Sequence, residues 1–195
     1  MSDSLKMVVV LTLIAIISGA SLSFVDTATR EKITENKTMA LMEGMKTLLP
    51  EAEDFKKLDV EKKGGIEGIY KALKGEKVVG WGFMLSGPGF QDKITIVIAT
   101  DPQIKTLLGL EVLEQKETPG LGAKMEHKEF KEQFKGKSLE EDIEYVKNEK
   151  PKDGENKIEA LSAATISTKQ LLKIINNNIK DIKEIEKIKQ ELGGK

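Results

Sequence analysis

The longest apolar run lies near the start of the chain. Residues 7–25 (MVVVLTLIAIISGASLSFV) carry no charge, and Lys6 and Asp26 bracket them. As a helix these 19 residues extend roughly 28 Å, close to the hydrocarbon thickness of a bilayer. Two readings fit such a run: a single transmembrane helix, or a secretory signal peptide with small residues at 18–21 for cleavage. The run is longer than a usual signal core, so the anchor reading is preferred. Either reading leaves residues 1–6 in the cytoplasm and the large domain outside, although the charges flanking the run give only a weak orientation signal. Helical character continues through residues 26–50, with apolar positions at Ile33, Met39, Met42 and Met45, and Pro50 closes it. This predicts a helical stalk ahead of a domain over residues 51–195.

The pattern then changes to strands. Residues 68–73 and 78–83 flank Lys74-Gly75-Glu76-Lys77 and read as a hairpin. Residues 86–90 read as a turn, 93–100 (KITIVIAT) as a β-branched strand broken by Asp101-Pro102, and 104–113 as a strand interrupted near Gly109. Residues 124–134 suit a short amphipathic helix. Residues 143–146 and 158–161 are weaker strands, separated by a polar loop over 148–156. The last element has helical spacing from 166 to 192, with a kink or split expected at Asn176-Asn177-Asn178 and a close at Gly193-Gly194. The sum is an α+β protein: an antiparallel sheet flanked by helices, with one N-terminal transmembrane helix.

Charge and composition narrow the chemistry. The 31 basic and 32 acidic side chains leave a formal net charge of -1, without the basic excess of a nucleic-acid binder. There is no cysteine and only one histidine, His127. Thiolate nucleophiles, iron–sulfur ligation, disulfides and cysteine zinc sites are excluded, and a histidine metal site or a serine triad has little to build on. No metal site and no catalytic side-chain set is expected. A bound cofactor would have to supply any redox chemistry.

Two segments could hold one. Residues 162–168 (SAATIST) sit where a strand meets the final helix. The unpaired N–H groups of a helix's first turn and the positive end of its dipole favour a phosphate there, and small Ala163 and Ala164 allow close approach. The same serines and threonines also suit plain helix capping. Residues 117–124 (ETPGLGAK) prescribe a tight turn at Pro119-Gly120, and glycines on either side of Leu121 would let a flat ligand lie against backbone. A simple strand-to-helix loop is the alternative, and the segment lacks the P-loop spacing.

Taken together, the two segments resemble the FMN-binding domain shared by the G subunit of Rnf complexes and the C subunit of Na⁺-translocating NADH:quinone reductases. That family carries a Glu-Thr-Pro-Gly-Leu-Gly loop, matched here at Glu117, Thr118, Pro119, Gly120, Leu121 and Gly122. A Ser/Thr-Gly-Ala-Thr motif follows it, matched at Ser162, Ala164 and Thr165. Residues 87–90 look like the family's glycine-rich turn. Ala163 stands where the family usually has Gly, and Glu159 where an Asp commonly precedes the motif; both leave the acceptor hydroxyl in place. The resemblance implies FMN held as a phosphoester on Thr165, installed by a flavin transferase. It also implies a role as electron-carrying subunit of an ion-translocating ferredoxin:NAD oxidoreductase, among other membrane subunits. Leu121 is expected against one face of the ring, with Trp81 and Phe90 as candidates for the other and Lys124 as a nearby charge. A non-catalytic envelope domain that binds a partner and a stand-alone extracytoplasmic flavin reductase are the rival readings.

Overall fold

The computed structural model describes residues 2–60 and 63–193, so Met1 and Gly194 lie outside the described residues. The first element, α1 (Asp3–Leu48), is one uninterrupted helix. Among the described residues it is the one helix long and apolar enough to cross a bilayer. Its large apolar side chains from Leu5 to Val25 are exposed. The hydroxyl of Thr12, inside the apolar run, donates to the Val8 carbonyl at 2.8 Å, so this polar group would not face lipid unpaired. Residues up to Ala40 form one unit; Leu41 onward, including the last turns of α1, forms a second.

Within that second unit, β1 (Asp54–Leu58), β2 (Ile66–Lys74), β3 (Lys77–Pro88), β4 (Lys93–Thr100) and β5 (Leu107–Glu114) make an antiparallel meander in sequence order. One face carries Trp81, Phe83, Leu85, Ile94, Ile96 and Ile98. These share a core with Leu171, Ile174, Ile175 and Ile179 of α3 (Thr165–Glu184). On the other face Val97 and Ala99 meet Leu41, Met45 and Leu49. β4 is therefore buried on both sides, which is why its residues 96–99 (IVIA) run apolar without alternation. The second face depends on small residues: a Cβ on Gly82 would stand 2.8 Å from Met45 Sδ, so glycine there is what admits the helix.

Several elements differ from expectation, each for a physical reason. β1, whose burial does not alternate, is a strand only because β2 supplies its partner. β3 runs on to Pro88, so the turn expected at 86–90 falls after it, where the Gly89 N–H donates to the Asp92 carbonyl at 2.8 Å. β5 starts at Leu107, because Ile104 takes a φ of 55° in the preceding turn; the irregularity near Gly109 is a bulge that leaves Leu108 unpaired opposite Ala99 and Thr100. The helix expected at 124–134 divides at the extended His127 into a 3₁₀ turn (Gly122–Glu126) and α2 (Lys128–Glu132). The two weak strands, β6 (Glu144–Val146) and β7 (Lys157–Glu159), pair in parallel.

The asparagine triplet does not break α3. Asn178 is buried; it donates to the Ile174 carbonyl at 2.7 Å and accepts from Gly65 N–H at 3.0 Å. Asn176 exchanges two bonds with the Ile143 backbone. These side chains are tertiary anchors, and the helix ends instead at the extended Ile185, before α4 (Glu186–Gly193).

Candidate functional site

Three chain segments converge beside the start of α3: the β3–β4 turn, the loop leaving β5, and the turn that launches α3. In the last, Ala164 N–H donates to the Leu161 carbonyl at 3.0 Å, and Ala163 takes a φ of 61°. A four-residue turn with positive φ only at its third position is the type II pattern, which favours glycine there. The loop holds the same device in its ordinary chemistry: Leu121 N–H donates to the Thr118 carbonyl at 3.1 Å, with Pro119 second and Gly120, at φ 75°, third. Ala163 is exposed, so its methyl has little packing to offset the strain. Left-handed φ costs an L-residue about 1–2 kcal/mol, and a glycine gives back about 0.5–1 kcal/mol in chain entropy. Ala163→Gly is expected to raise the melting temperature of the protein by a few degrees; a decrease would show that the methyl contributes packing.

Thr165 opens α3. The residue is half-buried and, among the described residues, its hydroxyl makes no hydrogen bond. The helix has no side-chain cap, and the first bonded N–H is that of Thr168, which donates to the Ala164 carbonyl at 3.1 Å. Among the described residues, the amides of residues 165–167 are thus without a hydrogen-bond partner, at the positive end of a helix dipole.

Glu117 joins the three segments. It is 4% exposed, and its Oε1 accepts from the Phe90 and Gln91 N–H groups at 2.7 and 3.1 Å. Its Oε2 accepts from Ser167 Oγ at 2.5 Å. Gly122 leaves room for this junction, since a Cβ there would lie 2.6 Å from Ser167 Oγ and 2.7 Å from Glu117 Oε2. Gln91 Nε2 also donates to Thr118 Oγ1 at 2.6 Å.

A second tie binds the turn to the loop. Lys116 pairs with Asp92 at 3.0 Å. The Asp92 carboxyl is held below its ordinary range, first by the Lys93 N–H and then by Lys116. A depressed folded-state pKa stabilises the fold above the unfolded value of about 3.9 and loses that effect as pH falls through the lower folded value. Asp92→Asn is therefore expected to lower the melting temperature at pH 7, with the difference from wild type closing in scans below about pH 4.

Around the junction lies a pocket of about 280 Å³, near the small end of the range for small-molecule sites. Phe90, Glu117, Thr118, Leu121, Gly122 and residues 163–167 line it. Phe90, Leu121 and Ile166 are 59%, 40% and 55% exposed. Among the described residues of the second unit, Leu192 is the only other large hydrophobic side chain so open. Exposed apolar groups gathered at one concavity mark a contact site.

Of the residues singled out from the sequence, Phe90, Glu117, Thr118, Leu121, Gly122, Ala163, Ala164 and Thr165 come together here. Gly120 shapes the loop without lining the pocket. Ser162 and Lys124 border a separate groove instead. Trp81 is 1% exposed and donates its indole N–H to the Pro102 carbonyl at 3.1 Å, so it belongs to the sheet core and not to the pocket. Sequence reasoning missed Ile166 and the link from Ser167 to Glu117. Ile166 did leave a signal: an apolar residue out of phase with the buried stripe of its helix.

The FMN-binding domain family model matches residues 89–180, a span that contains all three converging segments. The G subunit of the ion-translocating oxidoreductase complex of Methanosarcina acetivorans is 28% identical over 92% of this chain and 96% of that protein. The G subunit of the Na⁺-translocating ferredoxin:NAD⁺ oxidoreductase complex of Acetobacterium woodii is 26% identical, covering 93% of each. In fold, the chain is similar to the crystal structure of the C subunit of the Na⁺-translocating NADH-quinone reductase from Parabacteroides distasonis. The TM-score is 0.59 at 20% identity, over 77% of this chain and 92% of that one.

Proposed function

Since the chain belongs to the family formed by the Rnf G subunit and the C subunit of the Na⁺-translocating NADH-quinone reductase, we propose that it is a membrane-anchored electron-carrying subunit with FMN esterified to Thr165. The observation that carries this reading is the juxtaposition at one small pocket of three exposed apolar side chains, an unbonded threonine hydroxyl and an uncapped helix N-terminus. Those features match the parts of FMN in kind: apolar walls for a flat ring, unpaired amides for a phosphate, a hydroxyl for the ester bond. When bound, FMN supplies the redox chemistry that side chains without thiols or metal ligands lack.

The chain's own residues would do the rest. Thr165 Oγ1 would be the nucleophile towards the flavin-side phosphorus of FAD: a flavin transferase takes its proton, the Oγ1–P bond forms as the pyrophosphate P–O bond breaks, and AMP leaves. The residue 165–167 amides would hold the phosphate, and Leu121 and Phe90 would border the ring, while Glu117 holds loop, turn and helix in register. Residues 7–25 cross the bilayer, residues 26–40 extend the helix beyond it, and the domain works on the extracytoplasmic side. There a covalent bond keeps the cofactor from being lost. Its partners are the other subunits of an ion-translocating complex that couples ferredoxin and NAD⁺.

The reading is tested by intact mass on denatured protein co-produced with a flavin transferase. An FMN-minus-water increment supports it. An unmodified, colourless protein that has folded would favour a partner-binding envelope domain instead.

A further inference from the structure

Among the described residues, Glu117 is the one ionisable side chain that lines the pocket. It is buried, and all its bonds are accepted ones: two backbone N–H groups on Oε1 and the Ser167 hydroxyl on Oε2. That donor set suits the ionised carboxylate. Among the described residues no lysine, arginine or histidine forms an ion pair with it; its chain neighbour Lys116 is taken by Asp92. A buried carboxylate without a countercharge is unusual, because hydrogen bonds alone must replace its hydration. As a plain brace between three segments, a neutral amide such as glutamine would hold an oxygen in the same place for the two backbone donors. The charge itself is unexplained by the fold.

We infer that Glu117 is a positioning residue with a second role: its fixed negative charge lowers the reduction potential of the group bound in the pocket. The inference rests on the reading that this group is a flavin. Adding one electron adds one negative charge until a proton follows, and a carboxylate in the pocket wall opposes that charge. Burial makes the opposition stronger than it would be in water and leaves it weakly screened by salt. The positive end of the α3 dipole acts in the opposite sense, but the phosphate on Thr165 sits at that end and offsets it. The dipole therefore leaves no net positive charge at the site to cancel the carboxylate.

The test is a spectroscopic redox titration of flavin-loaded wild type, Glu117→Gln and Glu117→Asp, with covalent loading confirmed by mass and folding by thermal melting. Glu117→Gln keeps the shape and removes the charge, so the midpoint potential is expected to rise and to stay raised at high salt. Glu117→Asp disturbs the bonding but keeps the charge, so its potential should remain much nearer wild type, whatever its loss of stability. An unchanged or lower potential in Glu117→Gln would overturn the inference. So would equal shifts in both variants, which would trace the effect to packing. A Glu117→Gln chain that folds but takes up no flavin would assign the carboxylate to building the pocket alone, with the same consequence. Absence of flavin on the wild type is a different result and would count against the proposed function itself.

Discussion

Thr165→Val is expected to abolish the FMN-minus-water increment completely, while Thr165→Ser retains it. The substitution is nearly isosteric and removes only the acceptor oxygen, so the fold should persist. Neighbouring hydroxyls do not replace it, for separate reasons. Ser167 donates to Glu117 at 2.5 Å. Thr168 is fully buried, and its hydroxyl accepts from Leu161 N–H at 3.1 Å. Ser162 is exposed but borders the separate groove. Thr165 alone combines an unbonded hydroxyl with a place in the pocket wall. Intact mass followed by peptide mapping distinguishes the outcomes. An increment retained in Thr165→Val would move the flavin to another residue, and Ser162 would be the first to examine.

Gly122→Val is expected to damage the site and the fold together. Its Cβ would fall 2.6 Å from Ser167 Oγ and 2.8 Å from Glu117 Cβ, between groups already bonded to each other. Neither partner has slack, since Glu117 is also held by two backbone amides of the turn. Overpacking of this kind costs about 1–3 kcal/mol, a fall of about 2–4 °C in melting temperature for each kcal/mol in a domain of this size. Displacement of the loop from the helix by even about 1 Å can slow a positioned reaction roughly a hundredfold, so flavin loading should drop on that order. Gly120→Ala is the informative comparison in the same loop. Its φ is 75°, but a Cβ there meets nothing within 4 Å. It should lose stability through backbone strain of about 1–2 kcal/mol with a far smaller loss of loading. Loading fractions by mass and melting curves for the two variants separate these cases; equal loading losses would mean that the loop's turn, and not its contact with Ser167, governs the site.

Much of this protein was legible in one dimension because the deciding forces are local. An uncharged run of bilayer length, the hairpin around Gly75, the β-branched KITIVIAT strand and the period of the last helix each follow from side-chain pattern and turn chemistry within a few residues. The Pro119-Gly120 turn was legible too, since it states its backbone requirement in its own residues; the turn before α3 was not, because Ala163 holds the left-handed φ that a glycine would have announced. Other features had no local signature. The Asn176-Asn177-Asn178 triplet reads as a helix breaker, and only contact with Gly65 and Ile143 turns it into an anchor. Trp81 could line a pocket or fill a core, and the choice falls to which face of β3 meets α3. Two glycines two residues apart look equivalent along the chain. One exists for its φ and the other for the space that Ser167 and Glu117 occupy, 45 and 5 positions away. Periodicity and turns report what a segment prefers for itself. Whether a buried charge is braced, and whether a hydroxyl is left free, depends on groups brought from far along the chain, and that is settled only when the sheet and its helices pack.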